Sequence, residues 1–242
     1  MKTGVKLTVI YDNNSMSDGL QTDWGFACII EAGKTKLLFD TGDNGKILLY
    51  NMKKLGIDPK SIDLLFLSHA DHDHTGGMAE FLSVNREVKI YYPQSFPGVL
   101  TETINSSGAV SIPVSGFIEI LPDIFSLGEF AGAIPEQSLA VRSPEGIILV
   151  TGCAHPGIAN IVENAKRKFP GELICLIIGG FHLQRSGEEE INEVIQKIVD
   201  MDILSVAPTH CSGHLAGNMF REIFGSDYIE AGTGKIIELN QL

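Results

Sequence analysis

The stretch that decides both the fold and the site of this chain runs from Leu67 to Gly77 and reads Leu-Ser-His-Ala-Asp-His-Asp-His-Thr-Gly-Gly. An apolar strand pattern ends at Leu67, and three imidazoles and two carboxylates follow within six residues. So many ionisable groups in one tight turn need partners, because packing polar and charged groups without them is costly. Imidazole nitrogen and carboxylate oxygen are ordinary ligands of divalent cations. The stretch therefore predicts a metal site rather than a polar surface loop.

Three further histidines occupy equivalent positions along the chain. His155, His182 and His210 each follow an apolar strand pattern and lie close to glycine or proline. One such histidine alone would indicate an ordinary turn. Strand ends on one side of a sheet converge on a crevice, however, so the four loops together predict one shared metal site.

Short apolar strand patterns recur along the chain, with helical patterns between several of them. The predicted strands are Lys6–Tyr11, Gly25–Glu31, Lys36–Phe39, Leu64–Leu67, Val88–Tyr92, Leu139–Val141, Ile147–Val150, Leu173–Ile178, Leu204–Ala207 and Ile236–Leu239. The predicted helices are Lys46–Leu55, Gly76–Ser83, Ile158–Lys168, Glu188–Asp200 and Ala216–Phe224. Residues 94–137, rich in Gly, Pro, Ser and Thr, predict hairpins and long loops that could cover a site. The order of elements predicts an α/β protein, with two αβ halves packed sheet to sheet as one domain over residues 1–242.

The composition and charge of the chain disfavour nucleic-acid-binding, membrane-spanning and disulfide-rich classes of protein. The 242 residues carry 18 Lys and Arg against 30 Asp and Glu, a formal net charge of −12, which disfavours a nucleic-acid partner. No apolar run approaches the ~20 residues of a membrane span, and the first residues do not resemble a signal peptide. The four scattered cysteines form no CxxC pair and predict reduced thiols in a cytoplasmic protein. The expected partner is a small-molecule substrate. Oligomeric state stays open.

The motifs together resemble a known family. They are the 69–77 cluster, the lone histidines at 155, 182 and 210, and Phe-Asp-Thr-Gly at 39–42. Their order and spacing are similar to those of the metallo-β-lactamase superfamily. The resemblance implies a four-layer αββα sandwich with one or two metal ions, usually zinc, at one edge of the two sheets. More narrowly, the stretches 151–157, 179–183 and 208–211 resemble the 7,8-dihydropterin-6-ylmethyl-4-(β-D-ribofuranosyl)aminobenzene 5′-phosphate synthase-like subgroup.

The resemblance also implies a ligand map. The first metal would be held by His69, Asp71 and His155, and the second by Asp73, His74 and His210. Asp40 would support the 69–74 loop by hydrogen bonds. An equally acceptable role for Asp40, capping backbone amides before Gly42, is compatible with that support.

Two positions depart from the superfamily pattern. Asp71 stands where histidine is usual. A carboxylate oxygen is a harder ligand than an imidazole nitrogen and adds a negative charge to the first site. The site therefore favours iron or manganese more than a three-histidine site would. His72 could turn inward instead, although Asp71 keeps the i, i+2 spacing from His69. His182 stands where many members have a metal-bridging carboxylate, and one imidazole lone pair cannot bridge two ions. His182 would then serve one metal or contact the substrate, in a wider or weaker centre.

Three residues beside the motifs each have two candidate roles. Cys211 is either a thiolate that faces the metal or a small buried turn residue near the ligands, and the second interpretation is preferred. His214 could donate a proton or contact the substrate. Arg185 could bind an anionic substrate, although an exposed loop arginine is the commoner outcome.

Three functions are compatible with this pattern. The first is a metal-dependent hydrolase in which a metal-activated hydroxide attacks an ester, lactone or phosphoester. In this reading Asp73 orients the nucleophile and accepts its proton, while His182 or His214 protonates the leaving group. The second is the pterin-linked synthase implied by the subgroup. The third is a non-catalytic protein that binds a metal or a ligand.

Overall fold

The computed structural model of the protein describes residues 4–239. The strands are β1 (Val5–Tyr11), β2 (Ala27–Ala32), β3 (Thr35–Phe39), β4 (Leu64–Phe66), β5 (Lys89–Pro93), β6 (Val110–Val114), β7 (Ile118–Leu121), β8 (Ile124–Phe130), β9 (Glu136–Arg142), β10 (Ile147–Thr151), β11 (Ile174–Gly180), β12 (Ser205–Thr209) and β13 (Ile236–Leu239). The helices are α1 (Gly45–Lys54), α2 (His72–Thr75), α3 (Met78–Val84), α4 (Gly98–Ser106), α5 (Ile158–Lys168), α6 (Glu188–Asp200) and α7 (His214–Phe224). Short 3-10 helices cover Pro59–Ser61, His210–Ser212 and Gly225–Asp227.

Two mixed sheets form the middle of the molecule. The first has the strand order β13-β1-β2-β3-β4-β5-β6, and the second has the order β12-β11-β10-β9-β8-β7. Strands β3 to β6 run parallel to one another, as do β10 to β12, while the remaining neighbours are antiparallel. The last strand, β13, returns from the second half of the chain to pair with β1.

Three apolar layers hold these sheets and helices together. One lies between the two sheets and includes Leu7, Phe39 and Val150. A second packs α1, α3 and α4 on the outer face of the first sheet, and a third packs α5, α6 and α7 on the outer face of the second. The central strands are buried on both faces, which explains why their sequences are apolar without alternation. The predicted αββα sandwich is confirmed.

Residues 94–137 differ from their prediction. They form α4, the edge strand β6 and the β7–β8 hairpin, so the hairpin is confirmed but the long loops and the lid are not. In α4 the hydroxyl groups of Thr101, Thr103 and Ser106 donate to carbonyls three or four residues earlier, which accommodates poor helix formers. Pro113 lies in β6, and an edge strand tolerates a residue without a backbone N–H.

The sheet topology positions the functional side chains. Because β3 and β4 are parallel, and β10, β11 and β12 are parallel, the turns that follow them lie at matching sheet edges. Among the described residues, no helix is long and apolar enough to cross a lipid bilayer.

Candidate metal centre

The turn after β4 is held by a buried carboxylate from the turn after β3. One oxygen of Asp40 accepts a hydrogen bond from the backbone N–H of Ser68 at 2.7 Å. The other accepts from Ser68 Oγ at 2.6 Å and from His74 Nδ1 at 2.7 Å. Asp40 and His74 are completely buried. Asp40 thus makes the supporting hydrogen bonds that the family resemblance implied, and it leaves His74 Nε2 free to present a lone pair.

The other three histidines that face the site are oriented in the same way, each through Nδ1. His69 Nδ1 lies 2.8 Å from Ser68 Oγ, His155 Nδ1 lies 2.9 Å from Glu136 Oε2, and His210 Nδ1 lies 3.0 Å from Asn13 Oδ1. A partner at Nδ1 fixes the ring and directs Nε2 toward a metal, as is usual for metal-binding histidines.

Glu136, the first residue of β9, is a functional residue that the sequence analysis missed. Its two oxygens accept from the backbone N–H groups of Cys153, Ala154 and His155 at 2.9–3.1 Å, as well as from the His155 ring. Burial alone would raise the pKa of Glu136, but the hydrogen bond from His155 and the other donors lower it to about 2. Glu136 is therefore an ionised carboxylate that fixes the whole turn after β10.

The close approach of this turn to the β4 turn depends on glycine. A Cβ atom at Gly152 would collide with Ser68 Oγ and lie 2.9 Å from His69 Nδ1. The Thr-Gly-Cys-Ala-His stretch can therefore meet the 68–74 turn only with glycine at this position.

The Nε2 atoms and two aspartates form two similar donor sets. Asp71 Oδ2 lies 3.6 Å from His69 Nε2 and 3.7 Å from His155 Nε2. Asp73 Oδ2 lies 3.2 Å from His210 Nε2 and 3.7 Å from His74 Nε2, and the latter two nitrogens are 3.3 Å apart. Ligands of a tetrahedral ion with bonds of about 2.0 Å are separated by about 3.3 Å. The Asp73 set therefore has the spacing that a divalent cation requires. The two distances from Asp71 to His69 and His155 are compatible with a second cation.

The charges at the site also fit a cation. His69 Nε2 is buried without a hydrogen-bond partner, although buried polar atoms are normally paired. Burial lowers the pKa of His69, but Asp71, Glu136 and Asp40 outweigh it and raise this pKa to about 9. The negative potential that would hold a proton on His69 equally favours a metal ion in its place. Asp73 has a lowered pKa despite its burial, because His210 and His74 face it, so it is a carboxylate at neutral pH.

Cys153 is the second functional residue that the sequence analysis missed. Its Sγ lies 3.2 Å from His74 Nε2. It can join Asp73, His74 and His210, and it can also join His69 and His155, with all ligand atoms of each group within 4.8 Å of one another. Its position two residues before His155 was a usable signal.

The remaining predicted residues lie at the periphery. His182 is exposed, with its ring 4.6 Å from that of His155, and it groups with Cys153 and the buried Cys211. The Cys211 thiol lies 3.6 Å from the Cys153 carbonyl oxygen. His72 is 76% exposed and contacts Asp43 Oδ1 at 2.7 Å, so Asp71 rather than His72 faces the ligands.

A cavity of about 720 Å³ opens beside His210. Its wall is mainly polar and includes Asn13, Gln184, His214 and Arg221. His214 is exposed at the start of α7. Arg185 is exposed, and it is Arg221 that contributes a guanidinium to this wall.

Trp24, the only tryptophan of the chain, lies at the same end of the centre. It is 42% exposed, and its ring centroid is 4.8 Å from that of His210. Neither Trp24 nor Asn13 carries a motif, and no sequence signal pointed to them.

Comparison with known proteins gives consistent results. A family model described as the metallo-beta-lactamase superfamily matches residues 25–210. A 7,8-dihydropterin-6-methyl-4-(beta-D-ribofuranosyl)-aminobenzene-5′-phosphate synthase of Methanocaldococcus jannaschii is 31% identical over 85% of both chains. Among solved structures, the metal-dependent hydrolase Tm1679 superposes with a TM-score of 0.83 at 24% identity, covering 98% of this chain and all of that one. The metallo-beta-lactamase fold protein YhfI from Bacillus subtilis superposes with a TM-score of 0.73 at 13% identity, covering 98% of this chain and all of that one.

Proposed function

Because the chain belongs to the metallo-β-lactamase superfamily, we propose that it is a metal-dependent hydrolase that acts on a phosphoester, ester or lactone. The single observation that carries the proposal is the pair of donor sets around Asp71 and Asp73, with the unpartnered Nε2 of His69 buried among them. In this proposal His69, Asp71 and His155 hold one divalent cation, and Asp73, His74 and His210 hold another. Zinc is the first expectation, with iron or manganese as alternatives because each set contains a carboxylate.

Bound divalent cations supply Lewis-acid activation of water at neutral pH. The chain's own residues supply orientation and proton transfer. Asp73, 17% exposed, can accept a hydrogen bond from a water molecule and thereby orient it. In this proposal His214, which lines the wall of the adjacent cavity, or His182 protonates the leaving group.

The cavity beside His210 favours a polar substrate rich in oxygen. Asn13, Gln184 and Asn218 line it with amide groups that can both donate and accept. Arg221 adds a positive charge, but it is paired with Glu230 at 3.0 Å and stacks on Tyr228. A phosphate on the substrate would therefore compete with Glu230 for this guanidinium.

The test is metal content followed by activity on a panel of generic phosphodiesters, phosphomonoesters and lactones. We expect turnover by the zinc- or manganese-loaded protein, and loss of both metal and activity in His69→Ala and Asp73→Ala. Glu163→Ala, which removes an exposed carboxylate on α5, is the matched control and should change neither. A fully metal-loaded protein without turnover on any substrate would contradict the proposal.

A second candidate function is the synthase activity of the M. jannaschii relative, favoured by its 31% identity over most of both chains. The compound in the name of that relative joins a dihydropterin to a ribosyl aminobenzene phosphate. The exposed Trp24 face beside His210 could stack a fused ring, and the polar cavity could take a ribose phosphate.

The single tryptophan makes this candidate testable. We expect a 7,8-dihydropterin to quench Trp24 fluorescence saturably. We also expect the metal-loaded protein to form the joined product from a dihydropterin that carries a leaving group, such as diphosphate, on its 6-methyl carbon. The amine nitrogen of the aminobenzene would attack that carbon and lose a proton as the leaving group departs. Trp24→Phe keeps an aromatic face and provides the fluorescence blank. An unchanged Trp24 signal and no joined product would exclude the synthase in favour of the hydrolase.

A further inference from the structure

We propose that the thiolate of Cys153 is a metal ligand shared between the two donor sets. It would take the place between the two cations that a carboxylate occupies in many members of the superfamily. This inference rests on the metal centre of the proposed function and adds to it a sulfur donor.

The position of Cys153 carries the proposal. Its Sγ belongs both to the group with Asp73, His74 and His210 and to the group with His69 and His155. Across a tetrahedral ion with a metal–sulfur bond of about 2.3 Å, sulfur and nitrogen ligands lie about 3.5 Å apart. The distance of 3.2 Å between Cys153 Sγ and His74 Nε2 is close to that spacing.

The local backbone holds the thiol in this place. Glu136 Oε1 accepts from the Cys153 N–H at 3.1 Å, and the following Ala154 has a positive φ of 60° that turns the chain away. Only 4% of Cys153 is exposed. A ring nitrogen of His69 lies within 4.8 Å of the same sulfur. The Nε2 of that ring is buried without a hydrogen-bond partner, which independently indicates a cation site beside it.

The thiolate of a cysteine can be shared between two cations. A thiolate sulfur has lone pairs for two cations, whereas His182 offers one nitrogen lone pair. Binding breaks the S–H bond, forms sulfur–metal bonds and releases the proton to solvent, so no oxidant or reductant is needed.

The neighbouring Cys211 provides a matched control for Cys153. It is buried like Cys153 and packs against it, but its group contains only Cys153 and His182. It is therefore outside both donor sets, and Cys211→Ser removes a nearby thiol without removing the proposed ligand.

The first experiment uses the wild-type protein loaded with zinc and X-ray absorption spectroscopy. We expect a zinc–sulfur distance of about 2.3 Å beside the nitrogen and oxygen ligands. A spectrum that is described by nitrogen and oxygen alone would overturn the proposal while leaving the metal-dependent hydrolase intact. A protein that binds no divalent metal would overturn both.

The second experiment assigns the sulfur. In cobalt-substituted protein we expect a thiolate-to-cobalt charge-transfer absorption that is retained in Cys211→Ser and lost in Cys153→Ser. Metal affinity of Cys153→Ser should fall by more than the roughly 10–100-fold typical of losing an outer hydrogen-bond partner. Persistence of the band in Cys153→Ser, or its loss in Cys211→Ser alone, would overturn the assignment. A sulfur signal from a protein without hydrolytic turnover would support this inference and contradict the proposed hydrolase.

Discussion

Two buried carboxylates, Asp40 and Glu136, support the two sides of the metal centre in different ways. Asp40 accepts one backbone N–H and two side-chain donors, from Ser68 and His74. Glu136 accepts three successive backbone N–H groups and the ring of His155. A side-chain donor can rotate or change tautomer when its acceptor is altered, but a backbone N–H cannot. The comparison indicates that Asp40 mainly sets ligand geometry, whereas Glu136 also holds the fold of its turn.

Removal of Glu136 should therefore have the largest effect on stability. Glu136→Ala leaves four donors without an acceptor, two of them buried and the two of His155 partly buried. We expect the free energy of unfolding to fall by about 3–5 kcal/mol. Glu136→Gln keeps one acceptor oxygen and should lose less. Urea denaturation of the metal-free proteins measures both. A Glu136→Ala protein within about 1 kcal/mol of wild type would refute the backbone role.

Asp40→Asn should affect metal binding more than folding. Asparagine tolerates the positive φ of 54° at this position, and its oxygen can still accept the Ser68 N–H. Its NH₂ group would face His74 Nδ1, so this ring would accept there and carry its proton on Nε2. We expect a stability loss of about 1 kcal/mol and zinc binding weaker by about 10–100-fold.

Competition with a chromophoric chelator gives the zinc affinity of Asp40→Asn, and denaturation gives its stability. Wild-type affinity in this variant, or a stability loss as large as that of Glu136→Ala, would remove the distinction between the two carboxylates.

The adjacent residues Asp71 and His72 should differ, and His72→Ala should have the smallest effect of these variants. Asp71→Ala should lower metal content on the His69–His155 side, because its carboxylate lies between those two nitrogens. His72→Ala should change it little, because the exposed ring contacts Asp43. Metal analysis of both purified variants checks this. Greater metal loss in His72→Ala would reverse the assignment that the structure favours.

Outside residues 94–137 the sequence predicted the strands, and it predicted that histidines at their ends lie close together, because both leave local patterns. Apolar runs ending at His69, His155 and His210 predicted a convergence that the parallel strands β10 to β12 and β3–β4 produce. Glu136 could not be found in this way. Its partners lie 17–19 residues further along, and they meet it only through the pairing of β9 with β10.

Other residues were missed or misread for different reasons. Trp24 and Asn13 reach His210 from a segment without periodicity, so their placement depends on tertiary packing alone. Cys153 stood beside a predicted ligand, but a buried cysteine is ordinarily a small apolar residue. The helix α4 was missed because its Ser and Thr content is typical of loops, while their hydroxyl groups bond within the helix instead.

The backbone at the strand ends has a consequence for engineering. Four of the six described non-glycine residues with positive φ are Asp40, Ala154, His182 and His210, all in the turns that carry the centre. Such conformations cost on the order of 1–3 kcal/mol each and persist only where the surroundings enforce them. Substitutions that relieve the strain in these turns would raise the thermal stability of the protein but lower its affinity for cations. A search for thermostable variants should therefore begin in the helical layers, far from the strand ends.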